Sequence, residues 1–390
     1  MPMSSSRDLY ENNAPTLFSQ LCEVATGQFE PSIPKGKALS VGQICDNPMR
    51  SRIITCKDPE RDTFVKEVGG LNLDLSLPSV SVNLPSYIPI LDKRAATFSY
   101  YAVPKGIETI GLTLLDTITK GVTFKAGTWH EQENIEFRLS LLLGNAVKGK
   151  QTILFPSGPD TLIEWIWYKR NDCQLFKNLR AMGFKLTSGI NFSVMKGECS
   201  FAQALNQKRS LYSAYLATQA GIPAVPHIYA IDTYDIEMWS QHLKDNPQIT
   251  LATMNCQLQK SEADVSAVVS TVSQLMERFP YLHFILVGFN LPDIEKFGVY
   301  LSRIHFADKV PVKYAQSHRK ISLDLDTMKM SDSHSNETPA EIMAHNINQR
   351  RIYTELTKQR VLERYKIPTE IVELIKSTFF VNRVAHSEPI

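Results

Sequence analysis

The 390-residue chain has no Cys-x-x-Cys pair; its 6 cysteines stand far apart, at 22, 45, 56, 173, 199 and 256. Such spacing excludes a compact cysteine-built zinc site, so the thiols read as isolated and reduced, in or near the core. No apolar run approaches the ~18 residues needed to span a bilayer. Met1 to Ser6, followed by Arg7 and Asp8, lacks the apolar segment of a signal peptide. No membrane is expected as a partner, and the cytoplasm is the expected compartment. Glycine and proline are not abundant, at 18 and 21 residues, and 43% of the chain is hydrophobic against 21% charged. That balance excludes wholesale disorder, collagen and disulfide-knot scaffolds and leaves a globular chain able to bury a sizeable core.

Net charge is also scarce, at +2, but it is unevenly distributed. From Arg303 to Lys320 the basic residues Arg303, Lys309, Lys313, Arg319 and Lys320 face one acid, Asp308. From Arg350 to Lys366 the basic residues Arg350, Arg351, Lys358, Arg360, Arg364 and Lys366 outnumber Glu355 and Glu363. Two readings are open: a basic surface that tracks phosphates, or a solvated helix face.

Residues 1–80 mix polar stretches, prolines and short apolar pieces and read as an N-terminal extension. Apolar runs rich in β-branched and aromatic residues then alternate with helical patterns: Tyr87–Leu91, Thr109–Leu115, Thr152–Phe155, Lys185–Phe192, Ala224–Ala230, Ile249–Met254, His283–Val287 and Arg303–Phe306. That alternation predicts parallel strands with helical crossovers. Two of the crossovers are clear. Ser261 caps a stripe of Val265, Val268, Val269, Val272, Leu275 and Met276, and a stripe from Phe201 to Leu216 stops at Gly221 before Pro223. Eight strands, with no glycine-rich dinucleotide turn after an early one, predict a (β/α)8 TIM barrel over 81–330 rather than an open doubly wound sheet. A polar linker at Ser331–Glu337 and a C-terminal helical segment, 331–390, follow. Thr338-Pro339-Ala340-Glu341 is a capping box that opens a helix from about Pro339 to Arg364, with a shorter helix after Pro368.

Barrel enzymes place their chemistry after the strands. The residues there are Asp92, Asp116, the segment Pro156-Ser157-Gly158-Pro159-Asp160, Ser193, His227 with Tyr229, Asn255, Asn290 and Asp308. Paired carboxylates at one mouth can divide nucleophile from general acid/base. Equally, such aspartates can cap the helices that follow. Asp308 stands out because cations surround it in sequence, which suits a carboxylate that attacks an electrophilic carbon.

Gly-Phe-Asn-Leu-Pro-Asp-Ile (288–294) followed by Ile-His-Phe-Ala-Asp-Lys-Val-Pro (304–311) resembles the last two strands of the tRNA-guanine transglycosylase superfamily. Leu84–Pro89, Ile153–Gly158 and Ala344–Ile347, the last followed by Tyr353, Glu355, Leu356 and Arg360, are similar to its first strand, third strand and C-terminal helix. The resemblance spans roughly 84–365 in the correct order. It implies that Asp308 is the nucleophile and that guanine in DNA or tRNA is exchanged for a 7-deazaguanine base; no cofactor is assigned. The mouth residues Ser157, Gly158, Ser193, His227, Tyr229, Asn255 and Asn290 are then candidates for substrate binding, and Lys309, Lys313, Arg319 and Lys320 for flanking phosphates. Protein partners are compatible with the same frame.

The departures are as specific. Pro156 replaces the third-strand general acid/base, so Asp160 or Asp92 has to substitute for it. Ser193 stands where a fourth-strand aspartate reads guanine. The three zinc cysteines are missing, with Ser322–Met328 roughly in their place, so His345 is not expected to ligate zinc and no metal is assigned. These losses suggest a divergent branch, with DNA weakly favoured. They leave two competing readings: a catalytically degenerate barrel that binds nucleic acid or a protein partner, and an unrelated small-molecule hydrolase or lyase.

Overall fold

The structure is a computed structural model and describes residues 65–92, 103–125, 128–137, 147–194 and 200–365. By internal contacts the chain divides into one unit of Met1–Asn72 with Ser193–Arg209 and another of Leu73–Phe192 with Ser210–Ile390. In the first unit Lys208 is fully buried and its ammonium donates to the Asn72 carbonyl at 2.6 Å. All strands described below belong to the second unit.

The fold is a mixed α/β arrangement of parallel sheets and helices. Its strands are β1 (Tyr87–Pro89), β2 (Thr109–Thr113), β3 (Ile118–Lys125), β4 (Thr128–Phe137), β5 (Gln151–Phe155), β6 (Leu186–Ser188), β7 (Ala224–Val225), β8 (Leu251–Asn255), β9 (His283–Val287), β10 (Ile304–Asp308), β11 (Arg319–Asp324) and β12 (Lys329–His334). The helices are α1 (Asp160–Tyr168), α2 (Leu175–Ala181), α3 (Ser200–Gln219), α4 (Thr233–Asp245), α5 (Glu262–Arg278), α6 (Val310–Gln316) and α7 (Pro339–Arg364). Each of the eight apolar runs carries a strand. They form two four-stranded sheets, in the orders β1-β10-β9-β8 and β2-β5-β6-β7, with every pair parallel. Single parallel bridges, Ile90 with Gly111 and His227 with Thr253, join the two sheets at their edges.

Side-chain alternation sorts the strand residues onto two faces. Ile88 and Ile90, Ile153 and Phe155, Leu186, Val225, Leu251, Ile285, Val287 and Ala307 share one apolar cluster that draws on both sheets. Their neighbours Tyr87, Leu154, Phe284, Leu286 and Phe306 belong to a larger cluster with the helices. Gly111 lies on the first face, where a Cβ would meet the Phe155 ring at 2.7 Å and Ile90 at 2.9 Å; only glycine lets these strands approach so closely.

Local signals placed the helix ends. Ser261 caps α5 by accepting from the Asp264 amide, and Thr338 caps α7 in a reciprocal box with Glu341, so two orphan amides are satisfied at each start. The other end of α5 is closed from a distance. Arg303 donates to the carbonyls of Met276, Phe279, Pro280 and Leu282 at 2.7–3.2 Å, which consumes a cation that the sequence counts as part of a basic surface.

Two antiparallel hairpins are absent from the sequence reading. One, β3–β4, is inserted between β2 and β5. The other corrects the polar linker: Ser331–His334 pair with Arg319–Ser322 as β12 against β11. This hairpin is polar along most of its length, so no apolar alternation announces it, and its order comes from α7. There the Asn346 amide accepts from Ile321 N and donates to Arg319 O, at 2.7 and 2.9 Å. The helix expected after Pro368 and the segment 1–64 lie outside the described residues. Among the described residues no helix is long and apolar enough to cross a membrane.

Candidate functional site

The carboxyl ends of the parallel strands carry the polar residues of interest. Asp308 closes β10 on the same strand face as Ile304 and Phe306, toward α7, and is 3% exposed. Its oxygen Oδ2 accepts from Arg350 Nε at 3.1 Å and Nη2 at 2.7 Å. Oδ1 accepts from the Val310 amide at 2.8 Å and from the Tyr87 hydroxyl at 3.3 Å. Burial disfavours a charged guanidinium, but Asp308 and Tyr87 outweigh it and hold Arg350 above its ordinary pKa. Burial, reinforced by the Asp308 charge, pushes the Tyr87 phenol well up, so Tyr87 stays a donor. The carboxylate therefore has donors on both oxygens and a fixed orientation.

Beside it, Lys309 pairs with Asp116 at 2.8 Å and donates to Thr113 Oγ1 at 3.1 Å; Asp116 is 1% exposed. The cation next to the candidate nucleophile is thus neutralised by a carboxylate from the short helical turn, Leu114–Thr117, that follows β2. Arg319 is paired with Asp332, and Lys320 with Glu337. Lys313 is exposed. Of the four candidate phosphate contacts, three hold acids of this same chain.

The other candidate residues divide by environment. Asp92, just past β1, is buried, and Asp160 opens α1. Ser157 is buried after β5 and its amide donates to Phe155 O at 2.7 Å; Gly158 follows it. The Ser193 carbonyl, in the other unit, accepts from Asn206. Asn255 ends β8 with its Oδ1 taken by the Gln257 amide, and Asn290 donates to Asp293 at 2.5 Å within its own turn. Gly288, with φ of +76°, leads into that turn, where a Cβ would meet Gln257 at 2.4 Å.

His227 lies just past β7, on the face carrying Val225, and is 6% exposed. Its Nδ1 is 3.0 Å from Thr253 Oγ1, whose hydroxyl donates to Pro226 O at 3.4 Å. Its Nε2 is buried without a partner. Burial lowers the imidazole pKa to about 4, which keeps the ring neutral. Tyr229, two residues on, accepts from Gln259 Nε2 at 2.6 Å.

His345 Nε2 donates to Ile321 O at 2.8 Å, tying α7 to β11. Arg350, Tyr87 and Thr253 are the partners that sequence reasoning missed, and Asp116, read there as a strand-end residue, was not paired with Lys309. Arg350 carried one signal: it shares a helix face with Ile342, Asn346 and Tyr353, all buried, so its spacing marks it as inward-facing. No family model matches the chain, and no curated protein matches it.

Proposed function

We propose that the two parallel sheets close into a single (β/α)8 barrel, and that this barrel is a transglycosylase exchanging guanine in nucleic acid, with DNA weakly favoured over tRNA, for a 7-deazaguanine base. Closure is supported by the two bridges at the sheet edges and by the apolar cluster that both sheets share. The function rests on one observation: a carboxylate at the end of β10, oriented by an arginine and a tyrosine.

In this reading Asp308 forms a bond to the sugar C1′ as the C1′–N9 bond to guanine breaks, and the departing base takes the electron pair and a proton. Asp92 or Asp160 supplies that proton in place of the third-strand acid. The same group then removes a proton from the incoming deazapurine, whose ring nitrogen attacks C1′ and releases the Asp308 carboxylate. Arg350 and Tyr87 orient the nucleophile and stabilise it as a leaving group in the second step.

A second reading, a binding barrel without turnover, is favoured by the donors on both Asp308 oxygens and by Pro156. Trapping separates them. Wild-type protein incubated with guanine-containing DNA or tRNA should give a denaturation-resistant adduct that Asp308→Asn, checked to be folded, does not form. Binding with no adduct on either polymer supports the second reading; adduct formation by a folded Asp308→Asn protein overturns the assignment of Asp308.

A further inference from the structure

We infer that His305 is a pH-sensitive clasp on the strand that carries Asp308: while neutral, its imidazole holds Pro85 and seats the amino end of β1, and its protonation releases that end and draws Tyr87 off Asp308. The clasp rests on geometry alone; only its consequence for base exchange rests on the transglycosylase reading.

β1 is only three residues long, ends on Pro89 and has Pro85 just ahead of it, and neither proline has an amide to give to a ladder. At its amino end the bond from the Phe306 amide to Ser86 O, 2.9 Å, is backed by a side chain: His305 Nδ1 lies 2.9 Å from Pro85 O. A carbonyl only accepts, so Nδ1 carries the proton, and in the neutral ring Nε2 is left as a bare lone pair. Nε2 is buried and has no partner among the described residues. The segment 80–86 leans on the same face, since Val80 is buried with Ile285 and Ala307, and Val82 and Leu84 pack against them.

A second proton would put a charge on the ring with no acceptor for it among these elements. From β9 the ring is faced by His283, stacked at 5.8 Å and 22°. Arg303, which ends the helical segment Leu291–Arg303, acts on His283, and Lys358 of α7 acts on both rings, so the fixed charges nearby share the sign of an imidazolium. Both cations already donate to carbonyls, Lys358 to that of Ile304 beside His305. The segment 80–86 and β8 hold no titratable side chain, and Tyr87 and Asp308 lie on the opposite strand face. Burial, then Lys358, holds the seated ring down at about 3, whereas a released imidazole titrates near the ordinary value of about 6.5. Proton uptake therefore belongs to the open state, and acid shifts the balance toward it.

The test is native-state hydrogen exchange of the full chain at pH 7.5 and pH 5.5, read as protection factors so that the intrinsic pH dependence of exchange drops out. The Phe306 amide reports the amino end of β1, and the Leu91 amide, bonded to Gly111 O past the other end, is the internal reference. A histidine that titrates at about 6.5 only when released raises opening about tenfold over this interval, so Phe306 should lose about tenfold in protection relative to Leu91. His305→Gln, which can still donate to Pro85 O but takes up no proton, should abolish most of that loss; if thermal melts show it unfolded, His305→Asn takes its place. Equal losses at Phe306 and Leu91 in wild type, or an undiminished loss at Phe306 in the folded variant, overturn the clasp. Tyr87→Phe, which keeps the clasp and removes the contact with Asp308, should lower Phe306 protection about tenfold at both pH values. Unchanged protection there overturns the link to Asp308. None of these measurements involves a substrate, so the adduct experiment decides the transglycosylase reading separately.

Discussion

Arg350 places two nitrogens on a single oxygen of Asp308, 42 residues away in sequence, and both side chains are buried. A pair so enclosed is weak evidence for net stability, because desolvation offsets the attraction. Breaking it from one side nevertheless leaves a charge stranded. The residue proposed as nucleophile is therefore also the counter-ion of a helix.

Asp308→Asn and Arg350→Met should each lower unfolding stability by about 3–5 kcal/mol. The double variant should cost clearly less than the sum, since it strands neither charge. Urea unfolding of the four proteins checks this, and strictly additive losses would show that the two groups do not depend on each other.

Acid sensitivity follows from three buried histidines. Burial first, then His305, Arg303 and Lys358, holds His283 down at about 2; burial first, then Lys358, holds His305 at about 3; and burial alone holds His227 at about 4. All three lie below the unfolded value of about 6.5, so the unfolded chain binds protons that the folded chain refuses. Stability is fully present above pH 6.5 and is lost as pH falls below it, toward and through the folded values. Each histidine should remove roughly 2 kcal/mol between pH 6.5 and pH 5. Urea midpoints measured from pH 7.5 to 5 should fall steadily, and less steeply in His305→Gln. A flat profile over that interval contradicts the burial.

Much of this architecture was readable because its signals are local. Ser261 with Asp264 and Thr338 with Glu341 are three residues apart, so the starts of α5 and α7 announce themselves, and the apolar runs mark buried parallel strands without any partner in view. The site is different. Tyr87 lies 221 residues from Asp308, and Asp116 lies 193 residues from Lys309; no spacing rule connects them. Charge counts misled for a related reason, since they ignore direction. Arg303 and Arg350, both counted as surface cations, point inward to carbonyls and to a carboxylate. The β11–β12 hairpin escaped because its order is imposed by Asn346 and His345 from α7 rather than by its own residues.

Closure of the proposed barrel predicts equal protection at its seams. Leu91 N donates to Gly111 O at 2.9 Å, and Thr253 N to Pro226 O at 3.0 Å, across the two joins between sheets; Cys256 N donates to Val287 O at 2.7 Å within one sheet. In a closed barrel these amides open only with the whole fold, so native-state hydrogen exchange of all three should be similar. Two separate sheets would let Leu91 and Thr253 exchange faster than Cys256 by orders of magnitude, and that result would remove the barrel.

The ion pairs on the basic face sharpen what nucleic-acid binding must look like. A lysine that already neutralises a carboxylate of its own chain displaces few counterions when a phosphate approaches, whereas an unpaired one releases its full share. Lys313 is exposed, while Lys309 is held on the buried Asp116. If phosphates lie along this face, Lys313→Ala should flatten the dependence of log K on log salt by about 0.7–0.9. Lys309→Ala should change the slope much less, while exposing the Asp116 charge and weakening binding at every salt concentration. Asp332→Asn, which frees the Arg319 guanidinium, should steepen the slope. Salt titrations against single-stranded DNA, duplex DNA and structured RNA read all three variants. Identical slopes in wild type and Lys313→Ala on every polymer would show that this face is solvated decoration. No binding by wild type at low salt would move an unrelated small-molecule enzyme ahead of both nucleic-acid readings.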